Sequence, residues 1–159
     1  MIRTKFFYMK KVYTKEGKYL GVVEDLAIDF FNGNLIGFKI SVTSFISKKN
    51  FINIDKIISI DENIIVEENE KRDSLYFKEV KGLEIWNLQG HMLGVFEDLI
   101  INREKNSICG IILSTGIIDK IINGKKVLLI EDCVLGEDSI IYIGNENIEL
   151  KIVRKDIRV

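Results

Sequence analysis

Two carboxylate pairs, Glu24-Asp25 and Glu97-Asp98, are the polar groups of this chain best suited to chemistry, because the same pair occurs twice. Carboxylates that share a site can exchange a proton or hold a divalent ion. The residues around each pair predict a β-strand, however, and neighbouring strand residues point to opposite faces. We therefore expect one carboxylate of each pair to bond backbone groups near a bulge or turn and the other to be solvated.

The other reactive side chains form no catalytic or metal-binding constellation. Cys109 and Cys133 lack a CxxC spacing and align with apolar residues when the chain is compared with itself, which favours packing. His91 is the only histidine and cannot by itself make a zinc site or a triad, while Trp86 aligns with Tyr13 as a packing aromatic. No glycine-rich phosphate motif is present. We predict a protein that is not an enzyme, with no catalytic residue, no metal and no cofactor.

An internal duplication positions both carboxylate pairs. Residues 17–41 return as residues 90–114 at a shift of 73, with ten of the 25 positions identical. Glycine recurs at the same places, which indicates turns, bulges or close approach of strands. Later strands align at a shift of 76, so the second copy has three extra residues in one loop. The recurring residues form a predicted structural motif: Gly17, Gly21, Asp25, Gly37, Gly90, Gly94, Asp98 and Gly110.

Short alternating segments separated by Gly, Asn and Asp predict an all-β protein. Asn32-Gly33 is a hairpin signal, and Asp55 is expected to cap a tight turn. The predicted strands are 2–14, 22–29, 35–42, 51–54 and 63–67 in the first copy, and 83–88, 95–102, 108–114, 125–130 and 139–143 in the second.

The polar stretch 68–74 predicts a boundary between two units, one covering residues 1–70 and the other residues 71–147. Residues 148–159 have no counterpart in the first copy and are a C-terminal extension, either an extra strand or a basic tail. A barrel of about 70 residues buries a marginal core. We therefore expect the copies to pack as an intramolecular pair with pseudo-two-fold symmetry.

Composition limits the classes of partner. The chain has 159 residues, 47% of them hydrophobic and 30% charged, and its net charge is −1. These values are typical of a folded protein without a field that attracts DNA. No apolar run is long enough to span a bilayer, and the N-terminus has no secretory pattern, so we expect a cytoplasmic protein without a transmembrane segment. Oligomeric state is left open.

The assembled motif resembles the PRC-barrel family. Its pattern is a glycine, then Gly-x-Val-x-Asp, an apolar strand, a hairpin with glycine and a second apolar strand. The residues that carry it are Gly17, Gly21 to Asp25, Asp29, Asn32-Gly33 and Leu35 to Val42, and in the second copy Gly90 and Gly94 to Asp98. The second copy departs at Phe96, Asn102 and Asn106, and the last change predicts a different type of hairpin turn.

The resemblance implies two tandem small β-barrels without catalytic residues. The family includes the cytoplasmic domain of the photosynthetic reaction-centre H subunit, a domain of a ribosome maturation factor and small proteins of spore-forming bacteria. It therefore implies an adaptor that binds protein partners, and an association with sporulation is a guess from the same source. The alternative is an RNA- or ribosome-associated factor.

One sequence feature favours the RNA alternative. Between residues 3 and 18, basic side chains interleave with aromatic ones, a combination that grips backbones and stacks on bases. The residues are Lys5, Lys10, Lys11 and Lys15 with Phe6, Phe7, Tyr8 and Tyr13. The slightly negative total charge favours instead a first strand with one core face and one solvated face.

Overall fold

A computed structural model describes residues 1–42, 49–116, 125–145 and 150–151. The prediction of an all-β protein is confirmed. The strands are β1 Ile2–Arg3, β2 Lys11–Thr14, β3 Tyr19–Asp29, β4 Asn34–Val42, β5 Phe51–Asn53, β6 Ile57–Ile60, β7 Ile64–Val66, β8 Glu84–Asn87, β9 Met92–Asn102, β10 Ser107–Ser114, β11 Lys126–Leu129, β12 Cys133–Leu135, β13 Ser139–Tyr142 and β14 Leu150–Lys151. The helices in these residues are one turn of α-helix, α1 Phe77–Val80, and three short 3₁₀ turns.

The chain forms two compact units, and neither is contiguous in sequence. The N-terminal unit contains Lys5–Asp29 and Leu35–Glu79. The C-terminal unit contains Met1–Thr4, Phe30–Asn34 and the described part of Val80–Val159. The sequence boundaries 1–70, 71–147 and 148–159 stay a prediction.

The N-terminal unit is a sheet with the strand order β6-β7-β2-β3-β4-β5. Strands β2 and β7 run parallel, whereas β2 with β3, β4 with β5 and β6 with β7 run antiparallel. Burial of aliphatic and aromatic side chains from both faces of β3 and β4 holds this unit together. Its fully buried core includes Phe7, Val12, Leu26, Phe38, Phe51 and Ile64.

The C-terminal unit has the corresponding order β12-β13-β8-β9-β10-β11, again with one parallel pair, β8 with β13. Two short strands are added at its sides, because β1 pairs with β9 and β14 pairs with β11. Its core is mainly aliphatic, with the buried rings of Phe30, Phe96 and Tyr142, and it includes Ile85, Leu99, Ile111 and Ile140.

The strands of the two units also have the same register. Val12 faces Gly21 across β2 and β3, and Ile85 faces Gly94 across β8 and β9, each pair followed by an irregularity in the ladder. These residues are 73 apart. The later strands agree at the shift of 76: Val12 with Ile64 and Ile85 with Ile140, Phe38 with Ile52 and Ile111 with Leu128.

Each unit contains the short segment that precedes the other copy in the sequence, and the C-terminal unit also contains Phe30–Asn34. Ala27 of β3 bridges to Tyr76, and Arg3 of β1 pairs with Ile100 of β9. Ala27 and Ile100 are 73 apart, and so are Arg3 and Tyr76. Met1–Thr4 therefore completes the C-terminal unit, and residues 75–79 complete the N-terminal unit. We call Met1–Thr4 and residues 75–79 the lead segments.

Two local predictions were wrong. Residues 2–14 are not one strand, because a 3₁₀ turn at Thr4–Phe6 and a left-handed Met9 (φ 64°) separate β1 from β2. Asn32-Gly33 does lie in the connection between the neighbouring strands β3 and β4, as the hairpin signal predicts; four residues join the strands, and Gly33 (φ 63°) is left-handed. The prediction that the second connection changes turn type is the other wrong one. Asn106 occupies the matching place with φ 51°, so the second connection keeps this conformation rather than changing turn type.

The cap of the first tight turn also differs from the prediction. Asn53, rather than Asp55, caps the 3₁₀ turn Ile54–Lys56, and its side-chain oxygen accepts from the Asp55 N–H at 3.1 Å. The short strands β6 and β12 were missed, since each has only three or four residues. Asn123-Gly124, Ser44, Ser47, Lys48, Ile148 and Ile152 lie outside the described residues, as does the C-terminal extension apart from β14.

Candidate functional site

Gly21 and Gly94 lie where β3 and β9 approach a neighbouring strand closely. A Cβ atom at Gly21 would lie 1.9 Å from the carbonyl oxygen of Ser41, and one at Gly94 would lie 2.8 Å from that of Ser114. Both glycines also have positive φ values, +152° and +155°. Any side chain would push the paired strands apart, which explains why both copies have glycine here.

The remaining motif glycines have two different uses. A Cβ at Gly37 would lie 2.2 Å from the Ile52 carbonyl oxygen, and one at Gly110 would lie 2.8 Å from that of Leu128, so these glycines permit close pairing. Gly17 and Gly90 instead lie in turns, with φ of +84° and +79° and open space where a Cβ would point.

Asp25 is buried and fixes the lead segment of the N-terminal unit. Its Oδ1 accepts from the Leu26 N–H at 2.9 Å and from the Tyr8 hydroxyl at 3.3 Å, and its Oδ2 accepts from the Lys78 N–H at 3.2 Å. The Lys78 ammonium donates to the Glu24 carbonyl oxygen at 2.6 Å. Burial raises the pKa of Asp25 above its usual value, although the bonds from Leu26 and Lys78 oppose that shift.

Asp98 has the corresponding role in the C-terminal unit. Its Oδ1 accepts from the Leu99 N–H at 2.8 Å and from both the hydroxyl (2.6 Å) and the N–H (3.3 Å) of Thr4. Its Oδ2 accepts from the Arg3 guanidinium at 2.6 Å. Asp25 and Asp98 thus each accept from the next residue's amide and from a lead segment, but only Asp98 does so through an arginine.

The two glutamates of the carboxylate pairs differ from each other. Glu24 is exposed, as expected, whereas Glu97 is only 25% exposed in its side chain. Glu97 Oε1 contacts the Lys125 ammonium and lies 3.7 Å from Arg3, while its Oε2 is buried without a hydrogen bond. The C-terminal unit therefore has a cluster of Arg3, Glu97, Asp98 and Lys125, whereas Glu24 of the N-terminal unit is exposed.

The side chains considered for other chemistry are dispersed. Burial raises the pKa of the Cys133 thiol to about 12, with Asp132 as a further cause, which disfavours the reactive thiolate. Cys109 is half-buried, His91 is exposed, and Trp86 donates to Glu84 at 3.2 Å. No group of three His, Cys, Asp or Glu in the described part of the chain is placed to hold a metal ion.

Several of the basic and aromatic residues near the N-terminus make contacts inside the N-terminal unit. Phe7 is buried, the Tyr8 hydroxyl bonds to Asp25, and the Lys10 ammonium lies 4.4 Å from the Phe6 ring centre. Outside that internal set, the Tyr13 and Tyr19 rings lie 5.4 Å apart, and Tyr19 is 38% exposed.

Sequence reasoning missed Phe31, the most exposed large hydrophobic side chain described, at 94%. It lies in the four-residue connection between β3 and β4, and its neighbours are fixed. The buried Phe30 ring meets the Phe96 ring at 6.4 Å, and the Gly33 carbonyl oxygen accepts from the Ile108 N–H at 2.7 Å. The sequence feature that could have indicated this exposure is the pair Phe30-Phe31 before Asn32-Gly33, because a turn can bury only one of two adjacent aromatic side chains.

The family comparison concerns the first half of the chain. Residues 7–73 match the family model of the PRC-barrel domain, and this range includes Gly17, Gly21, Asp25 and Gly37. The second copy lies outside the match. Domains of this family generally act as modules for protein or RNA interaction, and their fold is a β-barrel. A search of curated proteins found no match. None of the described helices is long and apolar enough to cross a membrane.

Proposed function

We propose that this chain is a non-enzymatic adaptor, built from two PRC-barrel-like repeats, that binds a protein partner. The matching strand orders and registers of the two units support the second repeat, since unrelated sheets have no reason to agree residue by residue at shifts of 73 and 76. The cytoplasmic location, the pseudo-two-fold arrangement and the link to sporulation stay predictions.

The use of the carboxylates supports a role without catalysis. The carboxylate oxygens of Asp25 and Asp98 accept hydrogen bonds from backbone and side-chain donors of their own units. A general acid or base must instead present a free proton site to a substrate. No hydrogen bond joins the two carboxylates of either pair directly; Glu97 and Asp98 are linked through Arg3, which lies 3.7 Å from Glu97 and donates to Asp98 at 2.6 Å.

Phe31 is the observation that carries the proposal of a protein partner. Exposed phenylalanine costs solvation free energy, and large apolar side chains that fill a partner's pocket contribute much of the affinity at interfaces. Phe31 is presented by a connection held at Phe30 and Gly33, so little conformational entropy is lost on binding. The second copy has Glu104 at the equivalent position, so the feature belongs to one repeat.

Replacing Phe31 with glutamate tests the proposal. The full chain, tagged and crosslinked in the cells that express it, is purified with and without ribonuclease. Leu88→Glu is the matched control, since it makes the same charge change at a side chain that is 67% exposed. We expect a protein that resists ribonuclease and is recovered with wild type and Leu88→Glu, but is reduced about tenfold with Phe31→Glu. An unchanged set of proteins with Phe31→Glu would refute the proposal.

RNA binding is the second candidate, and the Tyr13–Tyr19 pair favours it. Lys11, Lys15 and Lys18 are exposed along the same stretch, so rings and cations are available together. Fluorescence anisotropy with single-stranded RNA at about 50 mM salt tests this candidate. Binding that Tyr19→Ala abolishes supports it, and no binding by the wild-type chain removes it.

A further inference from the structure

Strand β12 forms an edge of the C-terminal unit within the described part of the chain. It pairs with β13 on one side, and no strand within the described ranges pairs with its other side. The Ile143 N–H donates to the Asp132 carbonyl oxygen and the Gly136 N–H to that of Ser139. Because antiparallel bonds alternate, Leu135 directs its N–H and C=O away from β13, as Cys133 directs its C=O.

The side chains along β12 change from buried to exposed between neighbouring residues, as they do in a strand at the edge of a sheet. Cys133 is buried at 8%, whereas Val134 is 50% exposed and Leu135 is partly exposed. An added strand would therefore find both backbone groups and an aliphatic contact. Strand addition of this kind derives affinity from main-chain bonds and specificity from alternate side chains.

The negative charge around β12 favours a partner strand that carries positive charge. From Val127 to Leu150 the sequence has six acidic residues and no Lys, Arg or His. Glu131, Glu137 and Asp138 are exposed at the ends of the strand, and Glu84 of β8 faces Ser139 of the neighbouring β13. A second copy of this edge is repelled, because two acidic flanks would meet.

The equivalent edge strand of the N-terminal unit differs from β12 in backbone regularity and in charge, although its Ile58 is 54% exposed, much as Val134 is. Strand β6 has a register shift between Ile57 and Ser59, and such bulges discourage strand addition. Its Lys56 pairs with Glu67 at 3.3 Å and with Glu68 at 3.4 Å, so a cation already covers its acidic flank. The edge at β6 therefore serves as an internal control for strand addition at β12.

The geometry points to β12 as a docking edge for an extended segment of a partner protein in which aliphatic and basic residues alternate. The segment adds antiparallel or parallel to β12, bonds to Leu135, covers Val134 and places its cations near Glu131, Glu137 and Asp138. This inference rests on the proposed adaptor role but uses a surface other than Phe31.

A synthetic probe tests the inference: a labelled peptide of about eight residues in which lysine and valine alternate, titrated by anisotropy against the full chain. Two further peptides have N-methyl groups on either the lysines or the valines, which block hydrogen bonding along one edge only. A glutamate peptide reverses the charge. The protein variants are Asp138→Lys, in the turn after β12, and, as the matched control in the turn after β6, Glu62→Lys. Leu135→Pro removes the outward N–H.

We expect the probe to bind at about 50 mM salt, and Asp138→Lys to weaken binding about fivefold more than Glu62→Lys. One N-methylated peptide should lose binding and the other keep it, and Phe31→Glu should leave the affinity unchanged. The inference is overturned by absence of binding, by equal binding of both N-methylated peptides, or by equal effects of the two lysine variants. Binding only after truncation behind Lys151 also overturns it, since the chain's own tail would then occupy the edge.

Discussion

Replacing Asp98 with alanine should destabilise the protein strongly, because this carboxylate joins the lead segment to β9. It accepts from Arg3, from Leu99 and twice from Thr4. Buried donors left without an acceptor cost about 1–3 kcal/mol each, and a charge deprived of its buried partner about 3–5 kcal/mol. These terms overlap, so we expect a total loss of about 3–5 kcal/mol, against a typical stability of about 5–15 kcal/mol.

Equilibrium unfolding in urea measures this loss as a shift of the midpoint at constant slope. A double-mutant cycle of Arg3→Met with Asp98→Asn isolates the ion pair, for which we expect a coupling above about 1 kcal/mol. Asp138→Ala, at an exposed carboxylate, is the control and should stay within about 0.5 kcal/mol. A loss below about 1 kcal/mol for Asp98→Ala, or no coupling to Arg3, would refute the reasoning.

Three further predictions use the same units. Gly21→Ala should lower the free energy of unfolding by about 3 kcal/mol or more, because the added Cβ overlaps a backbone oxygen. Gly17→Ala, where a Cβ would meet open space, should lower it by about 1 kcal/mol. Urea unfolding compares the two variants, and equal losses would contradict the close approach at Gly21. Because the pKa of Asp25 is raised in the folded state, this carboxyl group stabilises the folded protein most below pH 3.8. That stabilisation is lost as the pH rises through the folded-state pKa of Asp25. Raising the pH from about 3 to about 7 should therefore shift the stability difference in favour of Asp25→Asn, and a shift towards wild type would show the opposite sign. Iodoacetamide at about pH 8 should modify Cys109 while Cys133 reacts only on unfolding, as mass spectrometry of native and denatured protein would show.

The all-β class and the paired features of the fold were accessible from the sequence because they depend on local rules. Alternation predicts strands, and glycine at Gly21 and Gly94 reports a backbone that tolerates no side chain. Adjacent strand residues point to opposite faces, and this rule likewise predicted that Asp25 and Glu24 have different environments. In each case the information lies within a few residues.

The partners of those residues were not accessible, because pairing across long separations leaves no local signal. Nothing near Asp98 in the sequence indicates that Thr4 and Arg3 would bond to it. Met1–Thr4 was read mostly as part of a first strand, and residues 75–79, which follow the polar stretch 68–74, were assigned to no strand. Exposure of Phe31 and the open side of β12 likewise depend on which elements pack nearby.

The most direct test of the account is to divide the chain after Lys71. Each unit contains residues from both fragments, since Leu75 and Lys78 bond within the N-terminal unit and Met1–Thr4 and Phe30–Asn34 belong to the C-terminal unit. Circular dichroism and amide hydrogen exchange should show that fragments 1–71 and 72–159 are unfolded alone and fold together as a one-to-one complex. Two fragments that fold independently, with the stability of the intact chain, would contradict the exchange of lead segments.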